Sequence, residues 1–229
     1  VHYTRAVENG MDISHAPFVH SGSFGNIDEP EVEEYEVEKM EWGGDATVNL
    51  NPPPASGIWR FLRSSKDRPP VKTTGGYRMP NITRLNVRLS IGEFILYTFH
   101  LPVEEEKTRS IWVMIRNFFP QAIFDGDSRK RVIKIFNEDR RTVMEQRPEL
   151  LPYDLAAELH VRSDRIQVDF RQKRNRYIDA GWGIDSHLIK SEYTNVKAVV
   201  IPSPARREIP DLKNAWVMKE VPTRKTKNS

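Results

Sequence analysis

The sequence predicts an α+β fold, an antiparallel sheet with one long helix packed across it, and three observations carry that prediction. From Arg84 onward Leu85, Val87 and Leu89 alternate with Asn86, Arg88 and Ser90, the period of two that marks a half-buried strand. Phe94 to Leu101 and Ile111 to Ile115 follow as two more strands with polar connections too short for parallel crossovers, so the strands form an antiparallel meander. After Pro120 the period lengthens: between Asp127 and Glu145, Val132, Ile135, Phe136 and Val143 fall on one helical stripe.

The remaining elements follow in chain order. Thr4 is placed to cap a helix from Arg5 to Ser14, and Pro17 then forces a bend or a new turn. Ser21 to Asn26 is a small-residue loop, and its ordinary role is a connection. Tyr35 to Glu41 reads as a strand at a wet edge. Prolines at 52–54 and 69–70 bracket a short strand candidate, Ile58 to Leu62. Pro148 and Pro152 close the long helix. Beyond it, Ala157 to Arg162, Arg165 to Phe170 and Asn195 to Ile201 read as strands, with the last residues a packed extension and a frayed end.

Length and composition bound the function. The 229 residues suffice for a proper core, and residues 1–229 are read as a single domain. A net charge of +3 gives no reason to expect nucleic-acid binding, and no apolar run approaches the roughly 20 residues needed for a membrane span. A cytoplasmic location is the default. The absence of cysteine removes disulfides, thiolate nucleophiles and any cysteine-held iron–sulfur cluster from these residues. The chain begins at Val1 with a motif almost at once, which suggests a piece of a longer protein with a domain upstream.

That motif runs from Glu8 to His20 and places Asn9, Asp12, His15 and His20 within thirteen residues of a chain with six histidines. On a helix, Asp12 and His15 share a face. Two imidazoles suit iron, zinc, copper or nickel alike; one added carboxylate with the other positions open makes the face used by non-haem iron oxygenases. A hydrogen-bonded structural pair is the plainer reading. Asp139 is the distant candidate carboxylate, because it lies within the apolar stripe, where burial costs several kcal/mol unless something pairs with it. A salt bridge to an arginine or a rolled helix would also answer that cost, and Asp12 remains a local rival. Glu138, Arg140 and Arg141 are read as pointing elsewhere on the helix. His2, His100, His160 and His187 are read as structural or surface groups, Asp154 and Asp169 as reserve carboxylates. Phe18, Phe24, Trp59 and Phe99 are candidate pocket walls.

Asn9-x-x-Asp12-x-x-His15-x-x-x-x-His20 resembles the iron motif of the Rieske non-haem iron oxygenases. Phe136-Asn137-Glu138-Asp139 with Glu145-Gln146 resembles the distant motif that supplies their carboxylate, about 120 residues away. The likeness covers nearly the whole chain as the catalytic C-terminal domain of an aromatic-ring-hydroxylating type. The wording of residues 8–26 is nearest to alpha-subunit-like proteins of cyanobacterial type.

The resemblance implies a helix-grip, START-like fold. It implies iron(II) held by His15, His20 and Asp139, with Asn9 an amide behind the ligands and Asp12 a bridge for electrons from a neighbouring subunit. It also implies a [2Fe-2S] cluster on an upstream domain absent from these residues, a ferredoxin or flavin reductase, O2 as co-substrate, a homotrimer, and an aromatic or other hydrophobic small molecule that is hydroxylated, dihydroxylated or demethylated. The rival from another class is a START-like module that binds a hydrophobic ligand without redox chemistry. A hydrolytic zinc enzyme is more remote, since no glutamate stands between the histidines as a base.

Overall fold

The structure is a computed structural model and describes residues 1–53, 69–183, 185, 188 and 191. The strand expectations at Ile58 to Leu62 and Asn195 to Ile201, and also Trp59 and His187, lie outside them. The chain divides into two compact units, Val1–Phe170 and Arg171–Ser229.

The first unit holds a six-stranded sheet in which every strand pairs antiparallel with its sequence neighbour: β1 (Glu33–Met40), β2 (Gly43–Leu50), β3 (Val71–Arg78), β4 (Ile82–Leu89), β5 (Gly92–Glu104) and β6 (Lys107–Arg116). Short links join β1 to β2 and β3 through β6, which leaves those neighbours only antiparallel pairing, while the link from Leu50 to Val71 is long. Against it lie α1 (Tyr3–Met11), the single turn α2 (Ala16–Val19), the long α3 (Asp125–Glu145) and α4 (Arg165–Tyr177), whose first residues belong to this unit. The expected α+β architecture, a sheet with a long helix across it, is what the molecule has.

The sheet has two unlike faces. One carries Ala46, Val48 and Tyr77, and these close a core with Val7 and Met11 of α1, Leu151, and Ile166 and Phe170 of α4. Tyr77 and Phe170 are fully buried and meet edge to face at 5.2 Å. Burying a ring like that of Phe170 contributes about 2–3 kcal/mol. On the same face, α3 crosses β6 where Phe136 stacks on Trp112 at 6.4 Å. The stripe read from the sequence is the inward one: Val132 and Val143 are buried, and Ile135, Phe136 and Asp139 are half-buried.

Several expectations need correction. The helix near the start is capped by His2, whose Nδ1 accepts from the Thr4 amide at 3.4 Å, and it ends at Met11, not Ser14. Arg165 to Phe170 is the start of α4, not a strand. Ile166 and Phe170 stand four apart and both enter the core, so the apparent alternation is a helical face sampled over six residues. Ala157 to Arg162 makes no ladder. Asp154 accepts from the Ala156 amide at 2.9 Å and Asp164 from the Val161 amide at 2.8 Å, and each sets a short 3-10 turn instead. Phe99 pairs beside Thr98 in β5 and so faces away from the side that Trp112 shares with α3.

Two strands, β2 and β3, went unpredicted because Gly43, Gly44, Gly75 and Gly76 weaken any strand signal. Gly75 is where the close approach matters. A Cβ there would come within 2.9 Å of Ile13 Cγ1 and 3.1 Å of the Met11 carbonyl, so the bare backbone lets the end of α1 sit on the sheet.

In the second unit the described residues comprise the rest of α4 and a wider turn, Ile178–Trp182, in which Gly181 takes φ +88° and Tyr177 meets Trp182 at 5.8 Å. Among the described residues no helix is long and apolar enough to cross a membrane.

Candidate metal centre

The two histidines of the opening motif bracket one turn of helix. His15 is the N-cap of α2 and His20 its C-cap, and Pro17 fits because the first turn of a helix needs no donor there. The bend expected from Pro17 is thus a new turn, and it lays both rings toward α3. Gly25 closes the following loop so tightly that a Cβ there would collide with the Ala16 carbonyl.

Asp139 meets them from α3. His15 Nε2 and His20 Nε2 are 3.2 Å apart, and each is 3.2 Å from Asp139 Oδ1. His20 is 2% exposed, and the side chains of His15 and Asp139 are 17% and 15% exposed. Although both rings are so near, Oδ1 of Asp139 receives no aligned hydrogen bond among the described residues. An orphaned buried carboxylate oxygen is costly, and a cation is the partner that would satisfy it. Burial by itself would raise the Asp139 pKa, but the two imidazoles overcome it and hold the carboxyl far below the usual range. Burial works against charge on His15 as well, and the contacts with Asp12 and Asp139 reverse that and draw its pKa up to about 9. The pocket therefore favours positive charge between these three groups.

Behind the triangle stand two more carboxylates. Asp12 does not share a helical face with His15, because α1 has ended. It instead caps α1 and accepts from the Ser14 amide at 2.8 Å through Oδ1, while Oδ2 lies 3.4 Å from His15 Nδ1. Asp12 thus addresses the far nitrogen of His15 and is not one of the three converging donors. Glu138 was not expected to matter, yet its Oε2 is 2.9 Å from His20 Nδ1. Its pKa is held low: slight burial opposes this, but the Ser23 and His20 contacts outweigh it. No periodicity could have found Glu138, since it flanks the apolar stripe; only its place beside Asp139 hinted at it. Asn9 is half-buried on α1 with no hydrogen bond to the three.

The other candidates lie elsewhere. Asp169 accepts from Tyr77 Oη at 2.6 Å and pairs with Lys39 at 3.5 Å, and His160 Nε2 is 3.0 Å from the Leu155 carbonyl. Phe18 is 57% exposed, whereas Phe24 stacks on His20 at 4.7 Å.

The donor set fits a divalent ion. Around an ion about 2.1 Å from each donor, neighbouring ligand atoms are separated by about 3.0 Å in an octahedral site and about 3.4 Å in a tetrahedral one. The 3.2 Å edges fall between the two. His15, His20 and Asp139 form the one such group of three among the described residues.

A six-stranded antiparallel sheet crossed by a long helix, with two imidazoles from the turn after α1 meeting a carboxylate from that helix, defines an α+β domain with a candidate metal centre. Residues 1–180 match the vanillate O-demethylase oxygenase C-terminal domain. The chain belongs to that family, as the catalytic C-terminal domain of a Rieske oxygenase. It is similar to a protein of Pseudomonas sp. strain TJI-51 described as a probable methylxanthine N7-demethylase, NdmC, at 28% identity over 177 residues, 75% of this chain and 60% of that protein. Its fold is similar to Pseudomonas putida CBB5 NdmA with caffeine, at 18% identity and a TM-score of 0.59, covering 83% of this chain and 50% of that one. It is also similar to NdmB from the same organism, at 23% identity and a TM-score of 0.53, covering 75% and 45%. The chain thus spans between two fifths and two thirds of these relatives' lengths.

Proposed function

We propose that this chain binds iron(II) through His15, His20 and Asp139 and is the catalytic part of an oxygenase that removes a methyl group oxidatively from a hydrophobic, aromatic small molecule. The observation that carries the reading is the triangle of three donor atoms with 3.2 Å edges, one of them a carboxylate oxygen without an aligned hydrogen bond. Kinship with demethylase-type oxygenases favours demethylation over ring hydroxylation or dihydroxylation.

When bound, iron would supply the activation of O2. This chain's residues supply the surroundings. Leu85, Phe94, Leu96, Trp112 and Met114 stand half-buried on the sheet face crossed by α3, where Phe136 stacks on Trp112. Such a lining receives a flat apolar molecule and keeps water from its methyl group. One oxygen atom of O2 goes to the methyl carbon and the other leaves as water, with two electrons and two protons. In the hydroxymethyl product the bond from carbon to nitrogen or oxygen breaks, the hydroxyl proton passes to that nitrogen or oxygen, and the carbon leaves as formaldehyde.

The electrons come from a reductase through a [2Fe-2S] cluster, which a domain outside this chain must hold, since the chain has no cysteine. Asp12, with its side chain 27% exposed and facing His15 Nδ1, suits the electron bridge from a neighbouring subunit in a trimer. Asn9 would stand behind it on α1.

Loading with iron(II) without oxygen tests the reading. One equivalent of iron in the wild type, lost in His15→Ala, His20→Ala and Asp139→Ala, is the expected result. Unchanged metal content in all three variants would instead leave a module that binds a hydrophobic ligand.

A further inference from the structure

We infer that Glu138 is a positioning residue of this centre: it holds the His20 ring by Nδ1 so that Nε2 faces His15 and Asp139. The inference rests on the reading of those three residues as metal ligands. A carboxylate accepting at Nδ1 at 2.9 Å requires that nitrogen to carry the proton, which leaves the Nε2 lone pair free for a cation. Glu138 is itself held through its other oxygen, Oε1. Ser23 Oγ donates to its Oε1 at 2.7 Å, and Lys134, one turn earlier on α3, stands 3.7 Å from the same oxygen. Lys134 also donates to the Gly22 carbonyl at 2.7 Å, so the loop after His20 is fastened to α3 at two points. Phe24, from the same loop, stacks on the His20 ring with 27° between planes and fixes the ring's tilt.

Consecutive residues of α3 therefore deliver two different services, Asp139 as ligand and Glu138 as the hold on another ligand. The hold on His15 is of another kind. Asp12 lies 3.4 Å from His15 Nδ1, and that nitrogen makes no aligned hydrogen bond among the described residues. His20 is the fixed ligand and His15 the adjustable one. The loop from Ser21 to Asn26, which reads as a plain connection in the sequence, becomes part of the ligand support.

The test uses the full-length protein, Co(II) as the probe without oxygen, and 15N NMR of the His20 ring in the metal-free protein. Glu138→Ala should weaken Co(II) binding by roughly 10–100-fold, the usual cost of losing a group that orients a ligand, and should mix the two His20 tautomers. Glu138→Gln keeps an acceptor of the same shape and should recover part of both. Wild-type affinity and a single tautomer in Glu138→Ala would overturn the inference, even with a lowered Tm, and leave Glu138 a tie between helix and loop. If the wild type takes up no Co(II), the metal reading falls and this inference falls with it; if only Glu138→Ala behaves as the wild type, the metal reading stands.

Discussion

Two buried histidine sites lie on the same side of this sheet and come to opposite ends. His100 of β5 is 4% exposed, with Nε2 3.0 Å from Thr83 Oγ1 and Nδ1 3.1 Å from Ser110 Oγ. Neither partner carries charge, and burial pushes its pKa down to about 4. His15 is nearly as enclosed, but two carboxylates face it and its pKa stands near 9. Burial makes an imidazole neutral and inert; carboxylates brought to its two nitrogens turn the same burial into a place for a cation. The three converging donors thus differ from a structural histidine by their acids, not by their depth.

Removing the acid is the strongest way to break that comparison. Asp139→Asn keeps the shape of the side chain and discards its charge. Because Asp139 is a ligand in the proposed centre, Co(II) or iron(II) affinity measured by anaerobic calorimetry should fall by more than the roughly 100-fold that an outer partner costs. Affinity equal to the wild type would show that the two imidazoles alone define the site.

His100 should reveal itself in acid. Its pKa is about 4 when folded against 6.5 for a free imidazole, so the unfolded chain takes up the proton first as pH falls. The stabilisation is fully present above pH 6.5 and is lost progressively from there to pH 4, by up to about 3 kcal/mol. His100→Gln, which can still bridge two hydroxyls, should flatten this loss in urea unfolding at pH 7 and pH 4.5. An equally steep loss in the variant would assign the acid sensitivity to other groups.

What the sequence made legible follows from the same physics. α3 could be read because 21 residues hold one stripe, and Asp139 stood out as the charge inside it. β4 could be read because Leu85 and Val87 alternate with Asn86 and Arg88, and β5 and β6 because their apolar runs are short and separated by polar links. β2 and β3 were hidden by their glycines, which serve tertiary closeness, as Gly75 under Ile13 shows. Arg165 to Phe170 misled because six residues are too few to separate a period of two from one of 3.6. In the site, His15 and His20 were visible by their rarity. Glu138 was not, since what makes it matter is the loop at Ser23, 115 residues away in sequence.

A charge can also be given to the other histidine. Ser110 is exposed on β6, so Ser110→Asp places a carboxylate beside His100 Nδ1 without filling the interior. The His100 pKa should rise from about 4 by roughly 1–3, read from its ring protons in an NMR titration. A value that stays near 4 would mean that depth outweighs a neighbouring acid on this sheet, and the contrast with His15 would need another cause.

The smallest change in metal binding is expected at Asp12. Its Oδ1 is engaged by the Ser14 amide, an interaction that Asn keeps, and its Oδ2 contact with His15 is long at 3.4 Å. Asp12→Asn should hold Co(II) within about 10-fold of the wild type, the low end for a group behind a ligand. In the full-length protein supplied with its reductase, turnover should nevertheless fall far more than metal affinity, because the proposed work of Asp12 is to carry electrons between subunits. If affinity and turnover fall together, Asp12 acts only through His15, as Glu138 does through His20. If both survive, electrons reach the centre by another path.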